Sequence, residues 1–213
     1  MEFQNKETDF SFPREDVRET DLSFGYMKKA IELAKKAGES GDVPIGAVLV
    51  YDGLKPESPM GILCKEKGIF PGEILGMGYN QRNLLGNALR HAEISAIGEA
   101  CERIGDWRLE DCTLYVNLEP CPMCAGAILQ ARIPRLEMAI RNRKAGFCGS
   151  VLNILQMKEL NHRVDIGECS LLLGYNRKEF NVVLNEGKLN LGQIIAVANF
   201  VGLTTSEIVD LFF

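Results

Sequence analysis

Histidine and tryptophan are nearly missing from this chain, whose 213 residues hold two of the first, His91 and His162, and one of the second. A site that needs an imidazole has only two places to find one. Long apolar runs are missing too. No window reaches the ~18 uninterrupted apolar residues of a membrane span, and the opening MEFQNKETDF lacks the apolar core of a secretion signal. The expectation is a cytoplasmic protein with no membrane partner. Positive charge is in deficit, with 24 Lys and Arg against 29 Asp and Glu for a net of −5, so non-specific nucleic-acid binding by the whole surface finds no support. Regular cysteine pairing is absent as well. Seven cysteines, an odd number at irregular spacing, speak against a disulfide framework and for reduced thiols. Two of them read as ligands, and Cys64, Cys101, Cys112, Cys148 and Cys169 read as small apolar residues.

What the chain does have is the composition of a folded globular protein, 46% apolar and 25% charged, at a length that allows one domain with about 40 residues of additions at its ends. Residues 1–20 mix charges with few apolar side chains and read as a mobile N-terminal arm. From Asp21, the residues Phe24, Met27, Ile31 and Ala34 recur at helical spacing with lysines opposite, and Gly38 is the stop. Val43 to Val50 reads as a buried strand closed by Asp52-Gly53, and Gly72 to Tyr79 as its partner. Between them, residues 52–71 carry three prolines and read as an extended surface loop, or equally as a loop holding a small element.

A helix over Arg90–Ile104, a strand over Thr113–Leu118, a helix from Cys121, and a strand over Arg135–Ile140 follow. After them come a short helix over Gly149–Met157, a strand over Arg163–Ile166 and a helix over Cys169–Phe180. Strands alternating with helices make this an α/β chain with a parallel or mixed sheet covered on both faces. Residues 182–213 read as a C-terminal helical extension with a capping box at Thr204-Thr205-Ser206-Glu207. It is either a helix-turn-helix appendage or a packing and dimer-contact extension.

The chemistry gathers at Pro120-Cys121-Pro122-Met123-Cys124 and His91-Ala92-Glu93. Alone, a Cys-x-x-Cys pair is also the spelling of a redox dithiol or of plain helix packing. Joined to a His that opens a helix, it supplies two sulfur donors and one nitrogen donor, a set that suits tetrahedral zinc with the fourth position open to water. Pro122 fits the first position of a helix, where the unpaired amides and the positive dipole end favour thiolates. Glu93, two residues from the imidazole, is placed to move a proton between that water and a leaving group. His162 reads as a satisfied structural residue. Arg132, Arg135, Arg141, Arg143 and Lys144, against the single acid Glu137, form a basic stretch that is either a solvated face or a set of phosphate contacts.

His-x-Glu followed by Pro-Cys-x-x-Cys is the signature of zinc-dependent base deaminases. Together with Val43 to Val48, Gly78-Tyr79-Asn80, Trp107-Arg108-Leu109, Leu118 to Ala127, Lys144-Ala145-Gly146, Gly149-Ser150 and Leu160-Asn161-His162, the chain resembles the bacterial tRNA-specific adenosine deaminase family over about residues 22–180. This family lies in the cytidine and deoxycytidylate deaminase superfamily. The resemblance implies a deaminase domain over 21–181 with a three-layer α/β/α, cytidine-deaminase-like fold, a central mixed sheet of about five strands, and a homodimer. It implies one Zn²⁺ per subunit held by His91, Cys121 and Cys124, with Glu93 as the catalytic residue. The implied reaction is hydrolysis of the wobble adenosine of a tRNA anticodon stem-loop to inosine. By the same resemblance Asn80, Val43 and Ala92 would line the nucleotide pocket and Asn142 would stand in a loop that meets the substrate backbone, while Arg141 and Arg143 are the phosphate contacts expected of the basic stretch. The 54–71 loop, Gly86 to Arg90, Asn142 and the tail beyond Val182 depart from the family's usual spelling. A deaminase of a free base or nucleotide, and a non-catalytic zinc-stabilised partner subunit, are the other readings the signature allows.

Overall fold

Strand β1 (Gly46–Tyr51) turns Val48 and Val50 to one side and Ala47, Leu49 and Tyr51 to the other, and all six of its residues are buried. A strand buried on both faces belongs inside a covered sheet. In the computed structural model, which describes residues 17–168, that sheet has five strands in the order β2-β1-β3-β4-β5. They are β2 (Ile74–Tyr79), β3 (Cys112–Leu118), β4 (Arg135–Ile140) and β5 (Asp165–Glu168) beside β1. β1 pairs antiparallel with β2 and β3, whereas β3–β4 and β4–β5 are parallel, so the sheet is mixed as expected.

Helix α1 (Val17–Glu39) lays Met27, Ala30 and Ile31 on Val48, Val50, Tyr115 and Ile140. The opposite face carries α2 (Pro59–Glu66), α4 (Ala92–Ile104) and α5 (Pro122–Gln130), whose Met60, Ile97, Ile104 and Ile128 join Leu49, Leu114, Val116, Leu136 and Met138 in the larger core. The short helix α3 (Arg82–Leu85) connects β2 to α4. The small residues of β2 set how α4 sits. A Cβ on Gly78 would strike the carbonyl of Ala92, and one on Gly76 that of Ala96, so the helix lies directly on the strand backbone. Close approach of this kind leaves α4, and His91 at its mouth, one depth and one register.

Four segments differ from the sequence expectations. α1 begins at Val17, four residues before Asp21, so the last part of the expected arm is helical. Residues 52–71 hold a small element after all: Ser58 caps α2 by accepting from the Gly61 amide at 3.1 Å, and Pro59 starts the helix. The expected helix over Gly149–Met157 is instead a folded loop ending in one 3-10 turn at Ile154–Gln156. Its amides at Cys148 and Ser150 are taken by the Glu119 carboxylate, and Gly149 at φ 139° has no helical backbone. The last strand is Asp165–Glu168, not Arg163–Ile166, because Val164 and Asp165 donate to Leu155 and Pro134 and fix where pairing with β4 starts. The expected helix Cys169–Phe180, the extension 182–213 and residues 1–16 of the arm lie outside the described residues. His162 donates from Nε2 to the Ile133 carbonyl at 2.8 Å, a structural role.

Candidate active site

Two helix mouths meet at the C-terminal end of β3. Cys121 is the N-cap of α5, extended at φ −71° and ψ 173°, with Pro122 in the first turn and Cys124 one turn in. His91 is the N-cap of α4, also extended at φ −82° and ψ 154°. His91 Nδ1 lies 3.7 Å from Cys121 Sγ and 3.6 Å from Cys124 Sγ, and all three donor atoms fall within 4.8 Å of one another. Zinc bonds of ~2.3 Å to sulfur and ~2.05 Å to nitrogen at a tetrahedral angle put the two donors ~3.6 Å apart. Both nitrogen–sulfur separations therefore match the edge of a zinc tetrahedron, and the donor set is compatible with that metal. Cys124 is fully buried, and Cys121 and His91 are half-buried.

Electrostatics agree with ligand duty. The Cys121 thiol is brought down to about 5, first by a hydrogen bond from the Cys124 thiol and then by the amides of Cys124 and Met123 and the nearby His91. Cys124 is pushed up by that shared proton and by burial, so the pair's proton rests on it until a metal displaces it. Glu93, in the first turn of α4, is 2% exposed, and its Oε2 has no hydrogen-bond partner among the described residues. Burial raises its pKa to about 7, aided by the charge on Cys121 and opposed by His91. A buried carboxyl group with an unpartnered oxygen beside the His-Cys-Cys cluster is compatible with general acid and base work.

The other expected site residues fall into two groups. Asn80, 2% exposed, follows β2 directly, with Nδ2 donating to Asp42 Oδ1 at 2.7 Å and with Oδ1 unpartnered among the described residues. Val43, 40% exposed, donates its amide to the same Asp42 oxygen, and Ala92 is fully buried. These lie at the α4 mouth. Arg141, Asn142 and Arg143 follow β4 directly and border the α5 mouth, because Glu119 donates its amide to Ile140 at 2.8 Å. Asn142 Oδ1 accepts from the amides of Lys144 and Ala145, so this side chain shapes its own turn. The basic stretch does not form one patch. Six residues of strand, roughly 20 Å, separate Arg135 from Arg141, and only Arg141, Arg143 and Lys144 belong to the site end.

Three residues that build the site carried no role in the sequence reading. Asp42 accepts from Asn80, Val43 and the amides of Asn83 and Leu84. Asn117, buried in β3, accepts from the Gly46 amide and donates to the Pro44 carbonyl, both at 2.9 Å. Glu119, 2% exposed, gathers the loop after β4. Acids set between apolar residues, as in Asp42-Val43 and Leu118-Glu119-Pro120, were the available signal.

Among known proteins, the MafB19-like deaminase family model matches residues 65–180. The tRNA-specific adenosine deaminase of Bacillus subtilis is 37% identical over 174 residues, which are 79% of this chain and 96% of that one. The enzyme of the same description from Streptococcus pyogenes is 40% identical over 141 residues, or 66% of this chain and 77% of its own. A solved structure from work on A-to-I editing by tRNA:A34 deaminases superposes with a TM-score of 0.57 at 35% identity, covering 68% of this chain and 97% of that one. With its five-stranded mixed sheet and its His-Cys-Cys cluster beside a buried glutamate, the chain belongs to the tRNA-specific adenosine deaminase family of hydrolases acting on C–N bonds.

Proposed function

We propose that this protein hydrolyses the wobble adenosine of a tRNA anticodon to inosine, releasing ammonia, with one zinc per subunit held by His91, Cys121 and Cys124. The observation that carries the reading is the pairing of a zinc-sized donor triangle with the buried Glu93, whose Oε2 is left without a partner. Zinc, when bound, supplies the Lewis acidity that makes a water nucleophilic near neutral pH. Glu93 takes the proton of the incoming water at its carboxylate and passes it to N1 of the adenine as C6 becomes tetrahedral. It then moves a proton to the amine, which leaves as ammonia, so that adenosine and water give inosine and ammonia. Asn80, Val43 and the Ala92 backbone hold the nucleotide, and Arg141, Asn142 and Arg143 face the RNA backbone. A homodimer acting in the cytoplasm completes the proposal. Among the described residues no helix is long and apolar enough to cross a membrane.

The test is incubation of zinc-loaded protein with an anticodon stem-loop bearing adenosine at the wobble position, followed by sequencing for inosine. Conversion in the wild type and its loss in Glu93→Gln, by about 10²- to 10⁴-fold with zinc retained, is the expected result. Ammonia release from guanine or cytosine with the RNA untouched would overturn the substrate, and activity unaffected by Glu93→Gln would overturn the mechanism.

A further inference from the structure

Glu119 is a buried carboxylate that no step of the chemistry uses. It ends the run from β3 and stands two residues before Cys121. An ionised carboxylate offers about four acceptor sites, and this one fills them. Oε1 accepts from the amides of Cys148 at 2.9 Å and Ser150 at 3.0 Å, and Oε2 from the amide of Asn142 at 2.9 Å and from the Ser150 hydroxyl. The loop 142–150 is thus wrapped around one side chain. Phe147 adds a hydrogen bond to the Pro120 carbonyl at 2.9 Å, and Gly146 donates to Asn142 at 2.7 Å. A Cβ on Gly146 would strike the Glu119 carboxylate itself, so the wrapping leaves no slack.

The same loop carries Asn142 and Arg143 at its start, and Arg141 reaches across to Gly149 at its far end. A carboxylate that served only to neutralise loop amides could sit anywhere along the loop. This one is anchored next to a metal ligand, so one residue fixes both the α5 mouth and the wall that follows it.

We propose that Glu119 is a positioning residue. It holds the 142–150 loop in register with Cys121, so that Asn142 and Arg143 meet the phosphates of an RNA whose target base lies at Glu93. This rests on the RNA reading above. Glutamine in its place would keep the shape but turn an amide donor toward a cluster of donors, removing about two of the four hydrogen bonds. Ser150→Ala removes the hydroxyl bond alone.

The experiment compares wild type, Glu119→Gln and Ser150→Ala as full-length, zinc-loaded protein in three measurements. Hydrogen exchange at the amides of Asn142, Cys148 and Ser150 reads the loop, metal analysis reads the zinc, and steady-state kinetics on the anticodon stem-loop reads the coupling. Glu119→Gln is expected to speed exchange at those amides by about tenfold or more. It should raise KM by about tenfold while kcat stays within about threefold, with zinc stoichiometric. Ser150→Ala should move the same quantities the same way by about two- to threefold. A merely structural role would lower thermal stability without splitting KM from kcat. Unchanged exchange in Ser150→Ala overturns the clamp even if Glu119→Gln fails to fold, and faster exchange with unchanged KM overturns its link to substrate. Wild-type protein that leaves the stem-loop unconverted defeats the RNA reading and the substrate half of this proposal, while the exchange data still decide the clamp.

Discussion

Glu119 and Glu93 are buried and Asp52 partly so, and the fold treats each differently. Glu119 is saturated with donors, Glu93 keeps one oxygen unpartnered among the described residues, and Asp52 accepts from the Thr113 hydroxyl at 2.8 Å. Burial raises Asp52 from 3.8 to about 6, with the Thr113 bond and Arg135 pulling down and Asp111 pushing up. Between those two values the native state binds the proton more tightly than the unfolded chain does, so this residue's contribution to stability declines as pH climbs from about 4 to about 6. Asp52→Asn keeps an acceptor for Thr113 and removes the titration. The difference in urea-unfolding free energy between variant and wild type should shift in the variant's favour by on the order of 1–2 kcal/mol across that window. A flat difference curve would show that Asp52 titrates normally. At this scale, His91, Glu93, Cys121 and Cys124 were legible because their spacings are local and their chemistry is scarce. Asp42 and Glu119 were not, since their partners lie about 40 and 23–31 residues away in sequence.

The packing of α4 against β2 is what aims His91. Gly78→Val would drive a branched side chain into the Ala92 carbonyl and lift the helix mouth, a form of overpacking that costs about 1–3 kcal/mol. Zinc affinity should fall with stability in that variant, whereas an exposed glycine such as Gly98, which has open space beside it, should accept alanine with no loss of metal. Competition with a chromogenic chelator measures both. The division of the basic stretch by β4 makes a second prediction. Arg143→Ala should lower the slope of log affinity against log salt for the stem-loop by about 1, and Arg135→Ala, at the other end of the strand, should leave the slope alone. Equal effects would mean that both ends touch RNA. Helical periodicity identified α4, the proline after Cys121 marked the start of α5, and apolar runs between turn signals identified the four long strands, which are buried on one or both faces. The apolar pattern misassigned 149–157 as a helix, because the Ser150 amide is claimed by Glu119 and Gly149 sits at φ 139°.

Across the whole domain, the His-Cys-Cys cluster sits at the edge of a core that is continuous without it, running from Met60 and Cys64 through Leu114 to Ile128 and Val164. Chelation is therefore expected to abolish deamination and lower the melting temperature without unfolding the protein at 25 °C. A ligand held at about a thousandfold above its Kd stabilises by about 4 kcal/mol, which is roughly 10 °C for a domain of this size. Calorimetry with and without chelator, followed by zinc readdition, measures it, and loss of the far-ultraviolet helical signal on chelation would refute it.

The helix inserted between β1 and β2 lies at the other pole of this layout. Met60 touches Cys112, where β3 begins, whereas Cys121 and Cys124 follow where β3 ends. The turn that closes that helix, Lys65 to Gly68, faces solvent. A fluorophore or peptide tag grafted there would ride on the catalyst without crowding its mouth, giving a handle for following single molecules through turnover.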